Sequence, residues 1–150
     1  MTFKDLGFVV VKNNYDIENH TILIPDLYEY TKDIEGGDTE DQQVPGAPSF
    51  YGDLEMSKVQ IKILNAMEEN TGLKLFPTYA YWRYYVFGGS LAKHTDRPAC
   101  EISITACIKK YDNWPIIIEG KSFELEEGDA MLYAGCDQEH WRPGIYDGEG

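Results

Sequence analysis

Two imidazoles and one carboxylate stand out as groups able to do chemistry together. His94-Thr95-Asp96 sets a histidine and an aspartate two residues apart, which places both side chains on the same side of an extended backbone. His140 follows much later, in Gly135-Cys136-Asp137-Gln138-Glu139-His140-Trp141-Arg142. This is the ligand set of a mononuclear iron(II) site that keeps open positions for substrate and oxygen. Zinc accepts the same set. Taken singly, each residue also has a plain reading: His140 as a surface histidine beside Trp141, and Asp96 as a partner of Arg97 or the cap of a turn.

The context of the pair favours a built site. Tyr85-x-x-Gly88-x-x-Leu91 leads into His94 at regular spacing, as a strand would that bends through Gly88-Gly89 toward the histidine. Gly128-Asp129 opens a second strand that runs through Tyr133 to Gly135, shortly before His140. The third histidine, His20, lies in an undistinguished N-terminal stretch. Cys100, Cys107 and Cys136 are an odd set without disulfide-framework or zinc-finger spacing.

The 150 residues suit one domain with one core, and 43% hydrophobic and 13% aromatic residues give it material to bury. The net charge is −13, from 26 acidic against 13 basic residues. A field of that sign repels phosphate backbones and anionic membranes, so neither nucleic acid nor a membrane surface is an expected partner. No apolar run approaches the ~20 residues of a membrane span. The start, Met1-Thr2-Phe3-Lys4-Asp5-Leu6, carries no apolar signal-peptide region. A soluble cytoplasmic protein is the expectation.

The elements that must position the site read as follows. Phe8-Val9-Val10-Val11 is a first strand, and residues 25–30, opening at Pro25, form a short helix. Residues 33–53 are acidic and rich in glycine and proline, a long loop that serves as a lid, a binding loop or a plain insertion. Asp53 caps a helix whose buried face is Met56, Val59, Ile63 and Met67, closed by Thr71-Gly72. Short strands follow within residues 79–87, 101–109 and 122–125, and at Met131-Leu132-Tyr133. In the strand after the histidine–aspartate pair, Ile102, Ile104, Ala106 and Ile108 share one face, and Ser103, Thr105, Cys107 and Lys109 the other. The polar face either lines a site or meets water. The fold class is α+β, mostly β, with a double-sheet barrel core.

Tyr85-x-x-Gly88-x-x-Leu91-x-x-His94-x-Asp96, then Gly128-Asp129 and His140, resembles the iron(II)- and 2-oxoglutarate-dependent dioxygenases, in particular their prolyl 4-hydroxylase-like branch. The likeness covers the second half of the chain, from Tyr79 onward. It implies a double-stranded β-helix (jelly-roll) core with N-terminal helices packed on one sheet. It also implies Fe(II) held by His94, Asp96 and His140, with 2-oxoglutarate chelating the metal through its keto acid end and O2 as the second cosubstrate. No catalytic residue beyond the ligands is called for. Tyr85 occupies a position that often contacts the cosubstrate. Leu91 replaces a tyrosine that many prolyl hydroxylases carry, which argues against a prolyl substrate.

The far carboxylate of 2-oxoglutarate needs a cation. In prolyl 4-hydroxylases it follows the distal histidine at a position that here is Gly150. The resemblance implies a single domain over residues 1–150, and two explanations stay open: either the last C-terminal core strand is missing from it, or another cation serves. Lys109, which shares its parity with Thr105, and Arg142 are the alternative anchors. The activity implied is hydroxylation of a peptide or small molecule with release of succinate and CO2. Two other readings stay open: a cupin-like metal- or ligand-binding domain without oxygenase turnover, and an acidic interaction module that uses the 33–53 loop.

Overall fold

The computed structural model describes residues 3–11, 36–110 and 112–144. The helix expected over residues 25–30, the first residues of the long loop and Gly150 lie outside them. Two antiparallel sheets form the frame. The first has the order β1–β8–β5, from Phe8–Val11 (β1), Ala130–Tyr133 (β8) and Ser103–Ala106 (β5). The second has the order β4–β9–β6–β7, from Leu91–His94 (β4), His140–Arg142 (β9), Ile116–Ile118 (β6) and Lys121–Phe123 (β7). A separate hairpin pairs Ser49–Tyr51 (β2) with Tyr81–Arg83 (β3), and Phe50 stacks on Trp82 with ring centroids 4.1 Å apart.

Strand β8 shows why the sheets associate. It runs between β1 and β5, and all four of its residues are buried. Met131 and Tyr133 face the second sheet, packing with its Ile116, Ile118 and Phe123 and with Leu125, while Phe8 and Val10 of their own sheet complete the cluster. Leu132 points the opposite way, against Phe3, Ile63 and Met67 of the helices. A strand covered on both faces reads as an apolar run rather than an alternation. Fully burying a side chain such as Met131 or Ile118 stabilises by about 2 kcal/mol.

Helix α1 (Phe3–Leu6) and helix α2 (Leu54–Thr71) cover the outer face of the first sheet. Asp53 caps α2 by accepting the Met56 N–H at 2.9 Å, and Gly72 ends it in the left-handed conformation that glycine adopts without strain. Met56, Ile63 and Met67 are its buried apolar residues, with Val59 half-buried. Two facing antiparallel sheets with helices on one outer face form a mostly β architecture with a jelly-roll core, as the fold class expected.

Strand boundaries are shorter than the patterns implied. The aromatic stretch from Tyr79 to Phe87 keeps strand pairing only over β3, and the alternating 101–109 segment only over β5. The long loop also holds more structure than its composition signalled. Asp38 pairs with Ser49, the Gly46 N–H donates to the Thr39 carbonyl at 2.9 Å, and Val44 and Ala47 are buried against Leu91 and Tyr85. Among the described residues, no helix is long and apolar enough to cross a membrane.

Candidate metal centre

The histidines meet because β4 and β9 are antiparallel neighbours in which His94 lies opposite His140. The register slips by one residue between Leu91 and His94, an irregularity of the kind that re-aims a side chain beside a site. The ring centroids sit 4.3 Å apart. Asp96 lies just past β4, where its N–H donates to the Gly135 carbonyl at 2.8 Å. Asp96 Oδ1 is 3.6 Å from His94 Nε2 and 3.4 Å from His140 Nε2. One ligand atom from each of the three residues falls within 4.8 Å of the others.

The surroundings orient each ligand. His94 Nδ1–H donates to the Ala92 carbonyl at 2.8 Å, and His140 Nδ1–H to the Gln138 carbonyl at 2.9 Å. Both rings are thereby turned with Nε2 toward Asp96, the arrangement in which a fixed second nitrogen prepares the first for a metal. Ser103 donates to Asp96 Oδ2 at 2.9 Å, leaving Oδ1 to face the imidazoles. Gly135 completes the cradle: a Cβ there would come within 2.4 Å of Asp96 Oδ2 and 2.6 Å of the Cys100 carbonyl. Nitrogen, nitrogen and carboxylate oxygen converging from one side suit a divalent metal with open positions opposite.

Charge in the site follows from these contacts. Burial works against ionising Asp96, but hydrogen bonds from His140 and Ser103 and the nearby imidazoles outweigh it and lower its pKa. Burial disfavours the His140 imidazolium, yet the contacts with Asp96 and the Gln138 carbonyl raise its pKa above the ordinary 6.5.

A cavity of about 800 Å³ opens beside the triad. Tyr85, Thr105, Lys109 and Arg142 all line it. Arg142 shares the parity of His140 on β9; its Nη1 donates to the Trp114 carbonyl at 2.6 Å, and its guanidinium lies 5.6 Å from the Tyr85 ring centroid. Thr105 hydrogen-bonds the Tyr133 hydroxyl at 3.2 Å. Lys109, at the far end of the strand, pairs with Glu127 at 3.1 Å. Ser103 on Asp96 and Thr105 on the Tyr133 hydroxyl turn the polar face of β5 toward the site. Cys107 stays a thiol, its pKa pushed up to about 11 by burial, and all three cysteines are free.

Sequence reasoning passed over several lining residues. Tyr133 lies 4.7 Å, ring to ring, from His140, and burial drives its hydroxyl far above the usual tyrosine range. Arg83, on β3, has only 4% of its side chain exposed and pairs with Asp41 of the long loop. Gln43, also of the loop, donates from Nε2 to His94 Nε2 at 3.0 Å and accepts from Arg83 Nη2 at 3.2 Å. The parity of Tyr81, Arg83 and Tyr85 was a readable signal for Arg83. Nothing in the sequence pointed to Gln43.

No family model and no curated protein matches the sequence. Among solved structures, one of a Pseudomonas putida prolyl-4-hydroxylase superposes with a TM-score of 0.70, covering 99% of this chain and 91% of that one. The chain is similar to it in fold. Identity is 14%, so the likeness is one of architecture.

Proposed function

We propose that the protein is an iron(II)- and 2-oxoglutarate-dependent dioxygenase that hydroxylates a small molecule or peptide. The observation that carries this reading is the convergence of His94, Asp96 and His140 at one cavity in a prolyl-4-hydroxylase-like fold. When bound, iron(II) and 2-oxoglutarate supply the oxidising chemistry: O2 is reduced, the keto acid becomes succinate and CO2, and a substrate C–H becomes C–OH.

The chain's own residues bind, orient and shield. His94 Nε2, His140 Nε2 and Asp96 Oδ1 would hold the metal, with Ser103 and the Ala92 and Gln138 carbonyls fixing their directions. Arg142 is our assignment for the far carboxylate of 2-oxoglutarate. It is supported by its inward parity with His140, its place beside Tyr85 and, among the described residues, the lack of an acidic partner. Lys109 is the weaker choice because Glu127 already holds its ammonium. Thr105 and the Tyr133 hydroxyl offer neutral hydrogen bonds along the same wall, and Tyr85 and Trp114 limit the access of water.

The test is succinate release with iron(II) and 2-oxoglutarate, across a panel of carboxylic acids, amino acids and peptides. Wild type should convert 2-oxoglutarate, Asp96→Ala should not, and Arg142→Gln should need far more 2-oxoglutarate while binding metal normally. A protein that holds zinc(II) tightly and never consumes 2-oxoglutarate would overturn the dioxygenase reading in favour of a binding domain without turnover.

A further inference from the structure

The chain contains three arginines, Arg83, Arg97 and Arg142, against a net charge of −13. All three line the cavity of the candidate metal centre. An acidic surface repels anions as a whole, so gathering every guanidinium at one cavity concentrates positive charge there. Guanidinium is also the cation best shaped to receive a carboxylate, through its planar fork of N–H donors.

Arg83 already holds a carboxylate, and that carboxylate comes from the loop. Asp41 Oδ2 accepts from Arg83 Nη2 and, at 2.8 Å, from the Tyr81 hydroxyl. Asp41 Oδ1 accepts the Gln43 N–H at 2.8 Å. Only one nitrogen of the Arg83 fork serves Asp41; the buried Nε–H has no hydrogen-bond partner among the described residues. A guanidinium this buried with an unspent donor is under-used by its present partner. Arg97 stands at the cavity rim, stacked 4.7 Å from the Tyr79 ring centroid and 5.4 Å from that of Tyr51, with its Nε 3.2 Å from the Tyr79 hydroxyl.

We propose that the substrate of this site is a small carboxylic acid whose carboxylate takes the place of Asp41 on Arg83 and Tyr81. The inference rests on the dioxygenase reading for what happens to that substrate, and on the cavity alone for its charge. Asp41 stands in for the ligand in the free protein. Its displacement also draws Gln43 away from His94 Nε2, because the two residues share one loop segment. Arg142, whose Nη1 donates to the Trp114 carbonyl and not to Asp41, remains available to the cosubstrate.

With three arginines, the side-chain Nε–H region of a ¹⁵N spectrum holds three signals, assignable by single Arg→Lys substitutions. Acetate is titrated into the full chain, with and without diamagnetic zinc(II), against sodium chloride at equal ionic strength. The Arg83 signal should move saturably with acetate, and Asp41→Asn should tighten that response by about tenfold or more, since it removes a tethered competitor. Arg83→Lys should remove the Arg83 signal alone and leave the Arg97 and Arg142 signals in place, which assigns it and shows that the variant folds. The proposal is overturned if acetate moves the wild-type Arg83 signal no more than chloride does. It is equally overturned if Asp41→Asn stays within about twofold of wild type. An anion response confined to Arg142 would sink the Arg83 site and leave the cosubstrate assignment standing. A response at Arg83 to acetate, with none at Arg142 to 2-oxoglutarate, would do the reverse.

Discussion

Gly135→Ala isolates the geometry of the metal centre from its chemistry, because it changes no ligand. The new Cβ would lie 2.4 Å from Asp96 Oδ2, 2.5 Å from Ser103 Oγ and 2.6 Å from the Cys100 carbonyl, whereas real Cβ atoms essentially never approach within 3.0 Å. Moving the carboxylate from 2.4 to 3.0 Å displaces it by 0.6 Å, about three times the ~0.2 Å tolerance of a metal–ligand distance. The Cys100 carbonyl is backbone and yields little, so most of the movement falls on Asp96 and Ser103. Disturbing a ligand's support costs about 10–100-fold in metal affinity, or about 1.4–2.8 kcal/mol. Overpacking adds about 1–3 kcal/mol of lost stability, felt as a drop of about 2–4 °C per kcal/mol in a chain of this size. The assay is chelator competition for zinc(II) or iron(II), read beside a thermal melt of the metal-free protein. Ser103→Ala serves as a companion, removing one hydrogen bond without a clash, and should weaken metal by less. Metal affinity for Gly135→Ala within about twofold of wild type would refute the claim that this cradle fixes Asp96.

Two further outcomes follow from the same contacts. Gln43→Ala removes the amide that caps the His94 lone pair; at about 0.5–1 kcal/mol for an exposed hydrogen bond, metal affinity should rise roughly two- to fivefold in the same competition assay. Unchanged or weaker binding would mean that Gln43 supports the metal instead. In the metal-free protein, the raised His140 pKa gives a stabilising contribution that is complete below 6.5 and lost as pH climbs through the raised value. The lowered Asp96 pKa gives one that is complete above 3.8 and lost as pH falls through the lowered value. The stability difference between wild type and Asp96→Asn should therefore be largest between those two pH values and shrink on both sides. A difference that grows toward alkaline pH would contradict the pairing.

How much of this was legible beforehand depended on the range of the signal. His94 and Asp96 are neighbours in sequence and their spacing announced them. The parity of β5 set Ser103 and Thr105 on one shared face, because period-two alternation survives wherever a strand has one apolar and one polar face; which way that face turns is decided by contacts with Asp96 and Tyr133 that are distant in sequence. The Asp53 cap and the Gly72 stop were local backbone chemistry and equally readable. Strand β8 carried no alternation, since both its faces are buried, so the inward Tyr133 could not be picked out from the outward Leu132. The Asp41–Arg83 pair and the Gln43–His94 contact join residues 42 and 51 positions apart. A loop rich in glycine and proline gives no hint of where its side chains will land. Preferring Arg142 to Lys109 as the proposed anchor required knowing that Glu127 already pairs with Lys109, a tertiary fact.

The central claim, that His94, Asp96 and His140 hold iron on which 2-oxoglutarate chelates, has one direct measurement. Iron(II) and then 2-oxoglutarate are added without oxygen, and the visible spectrum is watched for the weak metal-to-ligand charge-transfer band of the chelate. The account predicts a band in wild type that is absent in His94→Ala and appears in Arg142→Gln only at much higher 2-oxoglutarate. A wild-type protein that binds iron(II) yet shows no band at saturating 2-oxoglutarate, or a His94→Ala variant that keeps it, would contradict the account.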